Sequence, residues 1–379
     1  MRKPLKTIVC GTRFGENYIS ALLDEDSGFK LSGLLARGSE RSRALAADLG
    51  VRLFTRAEDL PGDVDVACVV LRSGAFDGPG TAIAETLLRR GIHVVQEHPV
   101  HPGEIRQMLA AARGRGVQYQ VNSFYSHSPA ARDFIRFVSE WRQARMPHYV
   151  TMTTAPQLLF SSLDLIGRAF GGLGDFEIGG RTAWPEGMLA GAAHGVAPFE
   201  VLHGRIGPVP FILNLQGYLD RQDPDHHALV MHNIAVGGPE GRLELVSSFG
   251  PLVWSRAIYV PDYERDEAST SYLGDWASAA ERPHMTIPTA LTLGSPDGPS
   301  LAEAGRRLFP RIIHGALGEL RAAIDGGGDD IPPAQRPEYL AALGSAWQAV
   351  MRAVDPLVER ELPPPPSPVP DPRNFARRE

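Results

Sequence analysis

The feature that most constrains this chain is an alternation. Between Lys6 and Asn122, apolar runs of strand length alternate with segments of helical spacing. The strands are expected over residues 6–11, 29–36, 51–54, 65–71, 93–97 and 117–122. Helices are expected over 16–24, 39–49 and 81–90, with one more through Met108, Leu109 and Ala112. Tyr18, Ile19, Leu22 and Leu23 fall on one side of the first helix, and Ile83, Ala84, Leu87 and Leu88 on one side of the third. Successive parallel strands need helical crossovers, and runs as apolar as 65–71 suit strands buried on both faces. The reading is a doubly wound α/β Rossmann domain.

The pattern then changes. A helix is expected over 130–142, then extended segments over 149–153, 211–219, 228–236, 243–249 and 252–260. Turn residues separate the later ones, at Asp223-Pro224-Asp225, at Gly237-Gly238-Pro239 and at Gly250-Pro251. Strands joined by short turns make an antiparallel sheet. Helices are expected over 301–324 and 339–358, before a proline-rich tail over 363–372. A chain of 379 residues exceeds one compact core. We therefore divide it into a Rossmann domain, 1–125, and an α+β domain with an open, mainly antiparallel sheet, 126–379.

Composition narrows the partners. Hydrophobic residues make up 43% and charged residues 22%, an ordinary globular balance. A net charge of −6 gives no general attraction for nucleic acid or an anionic membrane. No apolar run reaches the ~18 residues of a membrane span. The basic start, Met1-Arg2-Lys3, leads into a strand and a glycine loop rather than a signal peptide. Cys10 and Cys68 lie within expected buried strands and read as core residues of a cytoplasmic protein.

Gly11-Thr12-Arg13-Phe14-Gly15 joins the first strand to the first helix, where backbone amides can hold a pyrophosphate. It departs from G-x-G-x-x-G: Arg13 stands at the second glycine and Glu16 at the third. No carboxylate closes the second strand to bind a ribose 2′-hydroxyl. Arg37, Ser39, Arg41 and Ser42 stand there instead, two cations and two hydroxyls suited to a 2′-phosphate. Ser39 also reads as a helix N-cap. The expected cofactor is NADPH/NADP. Leu71, Arg72 and Ser73, at the end of the fourth strand, are expected beside its nicotinamide ribose.

The fifth strand ends in Glu97-His98-Pro99 and the sixth in Asn122-Ser123-Phe124-Tyr125. Neighbouring strand ends place His98 and Tyr125 on one crevice. Hydride transfer to C=N or C=O needs a proton on the heteroatom, and either group can give it. Glu97 is expected to orient backbone or cofactor, and His127 is a further candidate. Asp223, Asp225, His226, His227 and His232 resemble metal ligands, but adjacent histidines on a strand face opposite ways, so no metal is expected. His194 and His203 flank the segment before the second sheet.

Taken together, these motifs resemble the Gfo/Idh/MocA oxidoreductase superfamily, most members of which carry Glu-Lys-Pro where this chain has Glu97-His98-Pro99. The chain is similar, more specifically, to the thiazolinyl imine reductases of siderophore assembly, the pyochelin and yersiniabactin type. The likeness lies in Val9-Cys10-Gly11-Thr12-Arg13-Phe14-Gly15-Glu16, in the stretch from Gly33 to Ser42, in Gln96-Glu97-His98-Pro99 and in Asn122-Ser123-Phe124-Tyr125. The resemblance implies NADPH-dependent reduction of a thiazoline C=N to a thiazolidine, on an intermediate held by a carrier protein of a nonribosomal peptide synthetase. His98 and Tyr125 become candidate general acids by position, without a choice between them. Arg132, Arg136, Arg142 and Arg145 offer either a docking face for an acidic carrier or an ordinary solvated helix face. A homodimer is expected. The competing readings are an NADP-dependent oxidoreductase acting on a sugar or conjugated ring, and a non-catalytic NADP-sensing regulator.

Overall fold

The computed structural model describes residues 3–24, 27–74, 77–185, 187–191, 196–257, 286–327, 331–362 and 367–368. Six strands form a parallel sheet: β1 Leu5–Cys10, β2 Phe29–Leu35, β3 Arg52–Phe54, β4 Val66–Val69, β5 His93–Glu97 and β6 Tyr119–Asn122. They lie in the order β3-β2-β1-β4-β5-β6, so the chain reverses direction between β1 and β4. In such a sheet the crevice beyond the strands' carboxyl ends is the ligand site. Helices α1 Gly15–Leu22, α2 Glu40–Asp48, α3 Gly80–Arg89 and α4 Pro102–Arg115 make the crossovers.

The second unit opens with α5 Pro129–Ala144, β7 Tyr149–Thr154 and α6 Leu159–Phe170. Strands β8 Phe176–Thr182, β9 Phe199–Ile206, β10 Val209–Gln216 and β11 Tyr218–Asp220 follow, then β12 His232–Gly238, β13 Gly241–Leu245, β14 Leu252–Arg256 and β15 Ala290–Leu293. Eight of these form a sheet in the order β15-β14-β13-β12-β7-β10-β9-β8. All its pairings are antiparallel except β7 with β10. Along β10, Phe211, Leu213 and Leu215 are buried while Ile212 is 47% exposed. This is the alternation of a sheet with one covered face. Two helices end the described chain, α7 Phe309–Asp325, entered through a π-helical turn at Ala304–Leu308, and α8 Pro337–Ala353, before a short β16 Val358–Arg360 that pairs with β11.

Three expectations are refined. The segment Leu229-Val230-Met231 precedes β12 rather than lying within it. Strands β8 and β9 and helix α6 were not anticipated: β8 is a half-exposed edge strand with two glycines and a register shift, which needs no apolar alternation. The proline-rich tail and His194 fall largely or wholly outside the described residues.

The Rossmann sheet is covered unequally from its own sequence. Ala84, Leu87, Leu88, Ile105 and Met108 of α3 and α4 pack on one face. On the other, Tyr18, Ile19 and Ala46 of α1 and α2 share a core with Ile312, Ile313, Leu317 and Leu320 of α7. The linear reading grouped 301–324 with the second domain, yet α7 returns to complete the first. Leu317 is 1% exposed. Leu317→Ala is expected to cost about 2–5 kcal/mol of unfolding free energy, measured by urea titration; a change within about 0.5 kcal/mol, the surface range, would contradict this packing.

Candidate active site

Strands β5 and β6 are register partners to their last residues, Glu97 opposite Asn122. The chain leaving β5 is tied across by the His98 amide, which donates to the Asn122 carbonyl (3.0 Å). The chain leaving β6 turns at Phe124, whose φ of 60° and ψ of −70° make a classic γ-turn closed by the Tyr125 amide on the Ser123 carbonyl (2.7 Å). Such a conformation in a side-chain-bearing residue costs about 1–3 kcal/mol.

His98 is nearly buried. Its ring stacks on Phe160 of α6 (centroids 5.7 Å, interplanar 15°), and its Nε2 lies 3.7 Å from Glu97 Oε1. Its Nδ1 is buried without a hydrogen-bond partner among the described residues. Burial lowers its pKa to about 4, against the opposing charge of Asp164. His98 is therefore a neutral imidazole near pH 7. Glu97 accepts from the Tyr18 hydroxyl and from Asn122 Nδ2 (3.3 Å). Burial raises its pKa to about 8, the two hydrogen bonds resisting.

The Tyr125 ring lies 4.5 Å from His232, 5.0 Å from Phe124 and 5.9 Å from Phe249. Burial first, then the nearby Glu97, raises its pKa to about 12, so its hydroxyl keeps its proton through the neutral range. His98 and Tyr125 thus sit at adjacent strand ends, with groups from the second domain closing over both.

Two of those groups went unrecognised in the sequence. His232, weighed only as a metal ligand, is fully buried at the start of β12. The Ser161 hydroxyl donates to the Leu158 carbonyl (2.9 Å), so at its 2.8 Å contact with His232 it accepts. The ring proton therefore sits on Nε2, and Nδ1 accepts from the Ser248 hydroxyl (2.6 Å). Burial and the neighbouring His98 lower its pKa to about 3. Asp164 on α6 is 2% exposed. It accepts from Ser123, from Tyr339 (2.7 Å) and from Arg168 Nε (2.9 Å). Burial opposes its charge, but Arg168 and the hydroxyls prevail and keep its pKa below the usual carboxylate range. The only prior signal for Asp164 was its four-residue spacing from Arg168 within an apolar run.

The phosphate loop fits its expected role. Gly11 has φ +99°, and a Cβ there would fall 2.5 Å from the Val70 carbonyl oxygen. Gly15, not position 16, makes the close helix–sheet approach: its Cβ would lie 3.2 Å from Val9 Cγ1. Helix α1 has no side-chain cap, and Thr12, Arg13 and Phe14 line its approach, Arg13 and Phe14 being exposed. At the end of β2, Arg37 and Ser39 are exposed. Arg41 bonds the Thr12 carbonyl and Glu16 (both 2.5 Å), bracing the loop. Ser42 is buried and its hydroxyl donates to the Ser39 carbonyl (2.8 Å), so it serves the helix cap and does not face a phosphate.

Beyond β4, Leu71 packs against Gly11. Arg72 pairs with Asp225 of the second domain. Ser73 is buried and donates to the Pro99 carbonyl (3.0 Å), holding the segment after His98 rather than offering its hydroxyl to the crevice. His127 lies apart, lining a separate cleft of about 780 Å³ with Arg168 and Glu319. His203 is exposed on β9. Among the described residues no group of three or more His, Cys, Asp or Glu could hold a metal ion. Cys10 and Cys68 are free and buried, and burial pushes both thiols up, Cys10 to about 12.

With that geometry in place, the comparisons define a class. Residues 5–123 match the oxidoreductase family with NAD-binding Rossmann fold, Gfo/Idh/MocA. The chain is thus an oxidoreductase whose first 123 residues hold an NAD(P)-binding Rossmann domain of that type. Residues 145–255 match the thiazolinyl imine reductase Irp3-like C-terminal domain. No curated protein matches the chain in sequence. Among solved structures, a dehydrogenase (MviM) from Clostridium difficile is similar over 93% of this chain and all of its own length (100%), with TM-score 0.63 at 10% identity. KijD10, a 3-ketoreductase from Actinomadura kijaniata solved with NADP, covers 93% and 98% with TM-score 0.61 at 16% identity. GenD2 from gentamicin A biosynthesis, solved with NAD, covers 93% and 95% with TM-score 0.59 at 16% identity. These likenesses establish the fold. No described helix is long and apolar enough to cross a membrane.

The buried histidines predict an acid sensitivity. His98, His127 and His232 have folded pKa values of about 4, 4 and 3, below the ordinary 6.5. Between pH 6.5 and about 4 the unfolded chain binds protons at these sites and the folded chain does not, so their contribution to stability falls as pH falls. Glu97, raised to about 8, acts oppositely between pH 8 and 4.5 by holding its proton when folded. Three sites outweigh one. Unfolding free energy should therefore drop from pH 6.5 to 5, and His127→Gln should flatten the slope, both read by denaturant titration.

Proposed function

We propose that this oxidoreductase uses NADPH to reduce a thiazoline C=N to a thiazolidine, on an intermediate carried by a nonribosomal peptide synthetase. One observation carries the reading. An Irp3-like domain closes over a crevice in which Tyr125 is a protonated hydroxyl and His98 is a neutral ring in place of the family's usual lysine. Oxidising a sugar hydroxyl calls for a base; Tyr125 holds its proton, and His98, lowered to about 4 by burial, is only a weak one. Reducing an imine calls for an acid.

When bound, the nicotinamide supplies a hydride to the ring carbon. The uncapped start of α1 and Gly11 would hold the pyrophosphate. Arg37 offers a planar fork to the 2′-phosphate, which favours NADPH over NADH. Tyr125 hydrogen-bonds the ring nitrogen, drawing electrons from C=N, and gives it the proton as the carbon is reduced. His98 holds the substrate edge against Phe160, and Asp164 stabilises positive charge that builds on His98 or the substrate. Tyr125 recovers its proton from solvent.

A carrier-bound substrate needs a docking face. Arg132 and Arg136 are exposed on α5, Arg136 in an exposed pair with Asp133 (3.0 Å) on its own helix, while Arg145 is drawn to Glu240 on another element. The first two are therefore the residues we assign to an acidic carrier. The open face of the eight-stranded sheet, with Ile212 and Tyr149 exposed, is our choice for a homodimer contact. Light scattering at micromolar concentration should give twice the chain mass; a monomer mass would reject that contact.

The test of function mixes the protein with a hydroxyphenyl-thiazoline thioester and follows loss of NADPH or NADH absorbance. Turnover with NADPH is expected, and Tyr125→Phe should lower kcat about 10²–10⁴-fold. His98→Ala should lower it less, since its ring orients rather than donates. Absence of turnover by the wild type, with sugars oxidised instead, would overturn the reading.

A further inference from the structure

Tyr125 enters the crevice on an unfavourable piece of backbone. Phe124 is one of two described non-glycine residues with positive φ, the other being Asp77. Classic γ-turns are rare in residues with a side chain, and such strain persists only where the surroundings over-determine it.

The surroundings here are specific. The Phe124 amide donates to Asn122 Oδ1 (2.9 Å). The Asn122 side chain is fully buried, and its Nδ2 reaches the Tyr18 hydroxyl (2.5 Å) and Glu97 (3.3 Å). One amide group thus ties the γ-turn to the end of β5, beside His98. The Phe124 ring is 1% exposed and wedged edge-on among Phe14 (5.3 Å), Tyr125 (5.0 Å) and Phe309 (5.0 Å). Those rings come from the phosphate loop, the turn itself and the start of α7. Without the turn, the chain leaving β6 has no reason to aim the next side chain back toward β5.

We infer that Asn122 and Phe124 are positioning residues. Together they lock a strained γ-turn that sets the place of the Tyr125 hydroxyl relative to His98. This rests on the reading of Tyr125 as proton donor. It predicts that relaxing the turn frees the Tyr125 ring. Glycine at 124 removes the penalty for positive φ and admits other conformations. Asn122→Ala deletes the acceptor for the Phe124 amide without removing any ring.

The experiment places 3-fluorotyrosine at position 125 of the full chain and records its ¹⁹F spectrum in the wild type, Phe124→Gly and Asn122→Ala. One narrow line is expected for the wild type. A broadened or split line is expected in both variants, with kcat on the thiazoline thioester reduced about 10–100-fold and KM changed less than about threefold, as misplacing a donor by an ångström does. Thermal melts check folding, and if Phe124→Gly does not melt cooperatively, Asn122→Ala decides alone. A single narrow line in the variants overturns the inference, as does a split line with unchanged kcat. If the wild type reduces no thiazoline, the functional reading fails, while the ¹⁹F spectra still decide whether these residues fix Tyr125.

Discussion

A single buried carboxylate holds the architecture of the site together. Asp164 is a charge taken out of water, which is tolerable only with full compensation. Its partners come from four places: Ser123 after β6, Tyr339 on α8, Arg168 one turn along α6 and, through Arg168, Glu319 on α7 (3.0 Å). The same group that locks α6 against the Rossmann domain is also the negative charge that His98 feels. Domain orientation and site electrostatics are thus one interaction. Removing one partner would leave the others charged and buried, which costs more than the pair itself contributes.

Around this charge the crevice is lined mainly by rings. A chain of aromatic contacts runs from Phe14 in the phosphate loop through Phe124 and Phe309 to Phe249, Tyr125 and His232. It joins the cofactor loop, α7 and the second sheet in one surface. Burial by these rings is what moves the titratable groups. It suppresses the charged form of His98, Tyr125 and His232 alike, while Asp164, supplied with an arginine and hydroxyls, stays ionised. A paired cation, more than depth or hydrogen bonds alone, decides which buried carboxylate carries charge: Asp164 has Arg168, while Glu97, with two hydrogen bonds, is raised to about 8.

The Rossmann half was legible because its strands are buried on both faces and its helices on one, so period alone separates them. The ends of β5 and β6 followed from that alternation, and with them Glu97, His98 and Tyr125. What the linear pattern missed is long-range. Helix α6 is buried nearly all round although it carries Ser161, Ser162, Asp164 and Arg168, and nothing local in the sequence shows that its polar side is enclosed. His232 lies 134 positions after His98 by number, and only the return of β12 beside β7 brings it near. Ser42 and Ser73 have the right chemistry for a ligand, but neighbouring carbonyls claim their hydroxyls first. Local hydrogen bonding competes with function for the same atoms, and sequence does not rank the two.

On the proposed reading, the protonation pattern does without a lysine at position 98. A buried lysine there, once neutral, would be a base suited to removing a proton from a hydroxyl. His98 under Phe160 is uncharged, Glu97 holds its proton near pH 7, and Tyr125 keeps its own to about 12. The edge facing the crevice is then close to neutral but rich in protons. Such a surface stabilises the charge that builds on a nitrogen as its carbon accepts hydride, and it does not compete for the substrate's own proton. Asp164 adds a fixed negative charge that His98 feels, and it favours any proton held on that ring. Acid chemistry of the proposed kind would need no strong acid, only hydroxyl and imidazole groups fixed by packing.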